Sequence, residues 1–320
     1  MKRIGNLFQE IISIDNLKES ELNARKGKLK QYGVKIFDKN KDYNIEMLHE
    51  ILNLKTFKTS PYATFKVFEP KERLVYKLPY YPDRIVHHAI MNVLEPLFTK
   101  WFTNDTYSSI KGKGIHQASN NLKKALQDKG NTIYCLKLDI VKFYPNVNHE
   151  ILKQLLRKKF KDQDLLWLLD EIIDSAEGLP IGNYLSQYFA NFYLTYFDHW
   201  IKETMQVKYY FRYADDIVIL SSNKPEMHKL LFEIRHYLND NLKLQVKANY
   251  QIFPVESRGI DFVGYVHYHT HTLLRKSIKK RFAKAVHKKK SKATIDSYKG
   301  WTKHANTHNL MKKLLPNDKI

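Results

Sequence analysis

Two adjacent aspartates set between apolar runs, in the segment Tyr213-Ala214-Asp215-Asp216, constrain the fold of this chain most strongly. The flanking runs 209–212 and 217–220 are rich in β-branched and aromatic residues, which predicts a β-hairpin with the acids at its turn. Neighbouring carboxylates repel each other and, where partly desolvated, require a cation. An isolated pair is more often a solvated turn, so only a second acidic site would indicate metal binding.

That second site is Asp139, the last residue of the alternating, strand-like segment 133–139. Asn148 then precedes apolar residues at helical spacing and is predicted to cap that helix. Mg²⁺ prefers oxygen ligands and leaves positions open to water and phosphates. Two such ions about 4 Å apart can activate a 3′-hydroxyl and stabilise a leaving pyrophosphate. The three acids therefore predict phosphoryl or nucleotidyl transfer with two Mg²⁺, for which Mn²⁺ could substitute.

Four segments, in order, resemble the motifs of reverse transcriptases over roughly residues 60–310. Segment 138–145 resembles the first catalytic motif of that family, and 213–216 resembles its Tyr-x-Asp-Asp box. Residues 178–187 lie where the family has a Gly-x-x-x-Ser stretch under the templating base, and 259–265 resemble the turn that grips the primer. The resemblance implies an α+β right-hand polymerase with an antiparallel palm sheet, fingers and a short helical thumb.

The implied activity is RNA-directed DNA synthesis, in which dNTPs are added to a primer on a template RNA to form an RNA/cDNA duplex. The implied catalytic and metal-binding residues are Asp139, Asp215 and Asp216, helped by the Ile140 carbonyl. The implied nucleotide-binding residues are Lys71, Arg73, Tyr144, Ile181, Gly182 and Gln187. The implied primer grip is Phe262, Gly264 and Tyr265. The nucleic-acid-binding candidates are Lys111, Lys113, Arg275, Lys276, Lys279 and Lys280.

For some of these residues the sequence also allows a different explanation. Tyr144 follows Asp139 by five residues, where a bulky ring can exclude a ribose 2′-hydroxyl, although plain core packing would also explain an aromatic residue. Lys111 and Lys113 could equally belong to a basic surface turn. A lysine that the family often carries after the second metal box has no clear counterpart: Tyr250 is the closest match and Lys247 the nearest alternative.

The third box departs from most relatives, which read Gln-Gly-x-x-x-Ser-Pro. Here Ile181-Gly182 and Ser186-Gln187 stand instead, which is similar to reverse transcriptases of diversity-generating retroelements. Those enzymes copy a template RNA with errors opposite adenine and usually work with a small basic accessory protein. The loss of an amide at Ile181 commonly weakens discrimination by roughly 1–3 kcal/mol, whereas a harmless substitution is the competing explanation. A group II intron enzyme, a phage-defence enzyme and a non-catalytic RNA-binding scaffold remain alternatives.

The charge distribution fits a nucleic-acid enzyme. The chain has 320 residues, with 54 Lys and Arg against 33 Asp and Glu, a formal charge of +21. Residues 275–320 carry 15 basic and two acidic side chains interleaved with apolar ones, which predicts a packed basic thumb that follows a phosphate backbone. We therefore predict an N-terminal extension at 1–60, fingers and palm at 61–268 and a thumb at 269–320.

The N-terminal extension contains a lysine-rich helical stretch at 16–32 and a second helix at about 45–54, and it could touch RNA or a partner or act as a structural cap. Cys135 is the only cysteine, so no disulfide forms within the chain, which is typical of a reducing cytosol. No apolar run approaches about 18 residues. The sequence thus predicts a cytoplasmic protein, bacterial or phage-encoded, that does not enter a membrane.

Overall fold

The computed structural model describes residues 2–68 and 72–316. Its α-helices are α1 (Phe8–Ile12), α2 (Ile14–Ala24), α3 (Tyr32–Phe37), α4 (Lys41–Asn53), α5 (Ile85–Trp101), α6 (Ile115–Ala125), α7 (His149–Lys159), α8 (Gln163–Ile173), α9 (Tyr184–His199), α10 (Lys224–Leu242), α11 (Val255–Arg258), α12 (Lys276–His287), α13 (Lys292–Thr302) and α14 (His308–Leu314). Its strands are β1 (Ala63–Phe68), β2 (Glu72–Lys77), β3 (Tyr134–Asp139), β4 (Tyr209–Tyr213), β5 (Asp216–Ser221), β6 (Gln251–Pro254), β7 (Ile260–Phe262), β8 (Tyr265–His267) and β9 (Thr272–Leu274).

The chain divides into two compact units. The first unit consists of Met1–Thr103, Lys142–Asp198 and Asn239–Leu244. It contains α1–α5, α7, α8, nearly all of α9 and the antiparallel β1–β2 hairpin. Its core includes an aromatic cluster in which the Phe98 ring lies 5.3 Å from Phe192 and 6.3 Å from Phe160. Because these residues belong to α5, α9 and the end of α7, the cluster joins three separate stretches of sequence.

The second unit consists of Asn104–Val141, His199–Leu238 and Gln245–Ile320. A four-stranded antiparallel sheet in the order β4-β5-β3-β6 forms its centre, and a three-stranded antiparallel sheet has the order β7-β8-β9. Cys135, Val218 and Phe253 lie in its buried core together with residues of α6 and β7. Both faces of its central strand β5 are covered, because Ile217, Val218, Ile219 and Leu220 are all buried and successive side chains point to opposite faces.

The predicted fold class is confirmed: the protein is α+β, with the antiparallel palm sheet of right-hand polymerases. The acidic segment connects β4 and β5 as a hairpin, and the strand before Asp139 is present. Asn148 caps α7, because its side-chain oxygen accepts the Ile151 N–H at 3.0 Å. The three predicted subdomain boundaries stay a prediction.

The lysine-rich helix predicted at 16–32 is shorter than expected. It begins at Ile14 after a Ser13 cap and ends at Ala24. Gly27 adopts a φ of 71°, in the left-handed region that ends a helix, and α3 begins only at Tyr32. The second N-terminal helix is present as α4.

Two further predictions concerned the single cysteine and membrane-spanning segments. Cys135 is a free, fully buried thiol, and burial raises its pKa. Over the described ranges 2–68 and 72–316, no helix combines the length and apolar character needed to cross a bilayer.

Candidate active site and nucleic-acid contacts

The second unit brings the three predicted aspartates together. In the antiparallel pairing of β3 with β5, Asp139 lies directly opposite Asp216, a relation that separates Cα atoms by about 4.5–5.5 Å. The pairing of Tyr213 with Asp216 leaves a two-residue turn, in which Ala214 has a φ of 54° and Asp215 follows. The fully buried Arg212 donates to the Ala214 carbonyl at 3.1 Å and so holds this turn.

The carboxyl groups of Asp215 and Asp216 lie in an environment that disfavours their charged forms. Burial raises the pKa of Asp215 to about 7, assisted by a proton-sharing hydrogen bond with Asp139 and by the charge of that residue. Burial also raises the pKa of Asp216, an effect that the Lys137 ammonium opposes and that Asp139 reinforces. Added positive charge, as at a cation site, would stabilise the ionised forms of these two carboxyl groups.

Two lysines supply part of that charge. Lys247 lies with Nζ 2.5 Å from Asp139 Oδ2, and its backbone N–H donates to the Asp139 carbonyl at 2.8 Å. Lys137 lies with Nζ 3.5 Å from Asp216 Oδ1. The sequence left open whether Lys247 or Tyr250 corresponds to the lysine that the family often carries after the second metal box. In the structure Lys247 lies beside Asp139. The Tyr250 ring is instead stacked by the Arg235 guanidinium. Lys137 was missed, although its position two residues before Asp139 on one strand could have indicated it.

The donor set fits divalent cations. In the ionised site, Asp139 Oδ1 and Asp216 Oδ1 are buried and accept no hydrogen bond. Within residues 2–68 and 72–316, no three His, Cys, Asp or Glu side chains form a ready-made metal cage. Mg²⁺ commonly takes only one or two protein carboxylates and completes its shell with water and substrate phosphates, so a partial set suffices. The backbone hydrogen bonds on either side of Ile140 are made by the Val141 N–H and by the Asp139 carbonyl. The Ile140 carbonyl takes part in neither of these two bonds.

The candidate sugar-selecting residue, Tyr144, lies in the first unit. It begins a short 3₁₀ turn, Tyr144–Asn146, and its half-buried ring packs at 5.6 Å against Phe143. The Tyr144 carbonyl accepts the Leu179 N–H at 2.8 Å. Gly178 packs so closely that a Cβ there would lie 2.6 Å from the same carbonyl. The turn that carries Tyr144 is therefore held by Gly178 and Leu179, at the start of the third box.

Within the first unit, the third box contacts the β1–β2 hairpin through its backbone. The Ile181 carbonyl accepts the Tyr76 N–H at 2.8 Å, and a Cβ on Gly182 would lie 2.5 Å from the Tyr76 carbonyl. Gly182 has a φ of 114°, so glycine is required both by its backbone conformation and by this close approach. Gln187 is exposed in the first turn of α9, and the Ile181 side chain is half-buried.

The structure describes three of the predicted basic residues of the fingers and palm region: Arg73, Lys111 and Lys113. Arg73 is exposed on β2, where it pairs with Val67 of β1. Lys71 lies outside the described residues. Lys111 is exposed, whereas Lys113 donates to the carbonyls of Asn104 at 3.1 Å and Thr106 at 3.2 Å, which engages its ammonium inside the unit.

The predicted primer-grip turn lies between β7 and β8. Val263 and Gly264 have φ values of 44° and 89°. A Cβ on Gly264 would overlap the Trp301 ring and lie 2.9 Å from Ile278 Cδ1, so α12 and α13 pack directly over the turn. Tyr265 is buried, and its hydroxyl donates to the Trp301 carbonyl at 3.1 Å.

The basic segment after β9 forms helices. Lys276, Lys279 and Lys280 are exposed on α12, while Phe282 and Ala285 of that helix are buried. Arg275 is tied to Asp261, with Nε 2.6 Å from the carboxylate oxygen. The first of these helices, α12, is thus amphipathic with a basic outer face, in keeping with the predicted helical, basic segment.

A protein-family model described as "Reverse transcriptase (RNA-dependent DNA polymerase)" matches residues 65–267, more than half of the chain. Protein YkfC of Escherichia coli is 25% identical over 244 residues, which cover 62% of this chain and 62% of that protein. The Putative COX1/OXI3 intron 2 protein of Saccharomyces cerevisiae is 19% identical over 83% of this chain and 38% of its own length. Nuclear intron maturase 4 of Arabidopsis thaliana is 26% identical over 52% of this chain and 22% of its own length. The chain therefore spans less than two thirds of these relatives.

Solved structures with a similar fold include telomerases. Apo telomerase from Candida tropicalis has a TM-score of 0.52 at 12% identity, covering 70% of this chain and 50% of that one. Telomerase from Candida albicans, in complex with a fragment of telomeric RNA, has a TM-score of 0.51 at 10% identity, covering 77% and 55%. At such identities the likeness concerns the fold alone.

Proposed function

The chain belongs to the reverse transcriptase family, and on that basis we propose that it is an RNA-directed DNA polymerase that copies a template RNA into cDNA. The observation that carries the proposal is the register of β3 and β5, which sets Asp139 opposite Asp216 beside the Asp215 turn. Carboxylates brought together in this way offer the oxygen ligands that divalent cations prefer.

In the proposed reaction, Asp139, Asp215 and Asp216 hold Mg²⁺, with the Ile140 carbonyl as a further oxygen ligand. Bound Mg²⁺ would neutralise charge on the attacking 3′-hydroxyl and on the leaving pyrophosphate. Tyr144 selects deoxyribose, and Gly182, Ile181 and Gln187 line the nucleotide pocket. Arg73 and Lys71 bind the triphosphate, because a guanidinium fork and an ammonium both match phosphate oxygens.

Primer extension on an RNA template tests this proposal. Wild-type protein should extend a DNA primer with dNTPs and Mg²⁺ and stop when a chelator is added. Asp215→Ala/Asp216→Ala should lose extension, whereas Asp15→Ala/Asp42→Ala, which changes two exposed helical aspartates, should not. Wild-type extension by the folded Asp215/Asp216 variant would refute the metal site, and a wild-type protein that binds RNA without extending a primer would instead favour a scaffold.

We further propose that the enzyme is of the diversity-generating type, error-prone at template adenines and assisted by a small basic accessory protein. Support comes from Ile181 and Gln187, which depart from the usual third box, and Ile181 is bonded through its carbonyl to Tyr76 of the β1–β2 hairpin. Neighbouring DNA should then contain two related repeats that differ at adenines of one copy. A lone gene beside defence genes would contradict this and favour a phage-defence enzyme.

A group II intron enzyme is the second candidate. Two relatives are named for an intron-encoded protein and an intron maturase, which favours this candidate. An intron enzyme should bind and promote splicing of the intron that encodes it, and it should copy adenines as faithfully as other bases. Sequencing of cDNA made on a defined template separates the two candidates directly.

A further inference from the structure

Lys137 occupies an unusual place for a lysine. It lies in β3, an inner strand of the four-stranded sheet, between partners Val218 on β5 and Gln251 on β6. It points to the same face as Asp139, because side chains two residues apart share a face of a strand. Its side chain is only 22% exposed. A charged side chain at such a position loses much of its hydration, so compensating contacts are expected.

Lys137 contacts both the β4–β5 hairpin and β7, the strand before the proposed primer-grip turn. Lys137 Nζ lies 3.5 Å from Asp216 Oδ1, and it donates a hydrogen bond to the main-chain carbonyl of Asp261 in β7. The Asp261 carboxylate in turn binds Arg275. Lys137 therefore lies between an acid of the proposed metal site and the strand that enters the proposed primer-grip turn.

The ammonium retains capacity for another acceptor. A lysine has three N–H donors, and among the described residues the Asp261 carbonyl is the one acceptor with which Lys137 forms a hydrogen bond. The Asp216 oxygen lies at ion-pair distance without a hydrogen bond, and it remains a buried acceptor without a donor. The partly exposed ammonium is thus placed to accept an anion that arrives from solvent.

We propose that Lys137 binds the last phosphodiester of the primer strand. The inference rests on the proposed polymerase function, since that reaction brings a primer 3′-hydroxyl to Asp139, Asp215 and Asp216. Lys137 is two residues from Asp139 along β3, about 7 Å, on the side where β7 leads into the primer-grip turn. The phosphate of the terminal nucleotide lies one sugar away from that hydroxyl, and a lysine is suited to it as a point charge. Lys247, which lies at Asp139, is not needed for this contact.

The experiment removes the charge from each partner in turn. Fluorescence anisotropy measures the binding of a primer–template duplex without dNTPs, with the last primer linkage either natural or a neutral methylphosphonate. Lys137→Met should weaken binding of the natural primer about tenfold, the size of a charged hydrogen bond, and should lower the salt slope by about 1. On the methylphosphonate primer, wild type and Lys137→Met should bind alike, and Lys137→Arg should regain most of the natural affinity.

A matched control and a replacement variant keep the outcome decisive. Lys129→Met, which removes an exposed lysine elsewhere in the same unit, should show no coupling to the methylphosphonate. If Lys137→Met does not fold, Lys137→Gln takes its place. Equal losses from Lys137→Met on both primers would overturn the proposal, as would a change in the Mg²⁺ half-saturation with unchanged primer affinity, which would limit Lys137 to neutralising Asp216. Because binding is read without catalysis, a wild type that binds but never extends would count against the polymerase function alone.

Discussion

At the scale of single residues, the candidate site contains three aspartates, two of which form ion pairs with lysines. Two acidic segments at strand ends predicted Asp139, Asp215 and Asp216 as metal ligands, and the structure brings the two segments together. The sequence did not identify Lys137, because a lysine in an alternating strand is normally taken as a solvent-facing residue. Only the pairing of β3 with β5 and β6 shows that this residue is largely covered.

Tyr144 provides a test of sugar selection. Tyr144→Ala should let ribonucleotides compete at least about tenfold better, a change of about 1.4 kcal/mol, because the space beside the sugar would no longer be filled. The measurement is the ratio of kcat/KM for dCTP and CTP. Phe143→Leu, which alters the ring packed against Tyr144, serves as the control and should leave the ratio unchanged. An unchanged ratio in Tyr144→Ala would limit Tyr144 to packing.

Ile181 provides a test of fidelity. Ile181→Gln restores an amide at the third box and should lower misincorporation opposite adenine about tenfold, since a regained polar contact is typically worth about 1 kcal/mol or more. Its backbone bond to Tyr76 should persist, because the main chain makes it. Sequenced cDNA from a defined RNA template measures the error rate. Error rates that stay the same at adenine would show the substitution to be harmless.

At the scale of elements, the turn between β7 and β8 depends on α12 and α13. The turn has two residues with positive φ, and the Trp301 ring covers Gly264. The resemblance of segment 259–265 to the primer-grip turn of reverse transcriptases predicted this turn. It did not indicate that a tryptophan 37 positions later would close over it, because that contact arises from the packing of distant helices.

Gly264→Ala tests this dependence. An alanine there combines an unfavourable φ with an overlap against the Trp301 ring, so the free energy of unfolding should fall by about 2 kcal/mol. Primer affinity should fall as well if the turn grips the primer. Gly300→Ala is the matched control, because open space surrounds that helical glycine and alanine favours a helix by roughly 0.5–1 kcal/mol. Thermal melting and anisotropy measure both effects; equal stability of the two variants would contradict the prediction.

At the scale of the whole molecule, charge is the dominant property. The net charge of +21 is concentrated toward the C-terminus, where exposed lysines lie on α12 and its apolar residues are buried. Binding to a template–primer duplex should therefore weaken steeply as salt rises, since phosphate contacts release counterions.

The salt dependence can be assigned to α12. Replacing Lys276, Lys279 and Lys280 together by Gln should lower the slope of log affinity against log salt by about 1 for each phosphate that is no longer neutralised. Replacing the exposed Lys124, Lys129 and Lys224 of the same unit is the control and should leave the slope nearly unchanged. Equal slopes for both triple variants would show that the charge acts through the whole surface and not through this helix.

The sequence alone determined the local elements: the acidic hairpin, the strand before Asp139, the Asn148 cap and the basic amphipathic helix. Each follows from periodicity and capping within a dozen residues. The end of α2 at Ala24 was missed, because the lysine pattern continues past Gly27.

Only the tertiary structure decided which residues meet. The register of β3 and β5 sets Asp139 opposite Asp216, and a shift of one residue would turn every side chain of β3 to the other face of the sheet. The contacts of Lys137 with Asp216 and with the Asp261 carbonyl follow from that register. No local pattern contains such information, because it is a property of strands far apart in the chain.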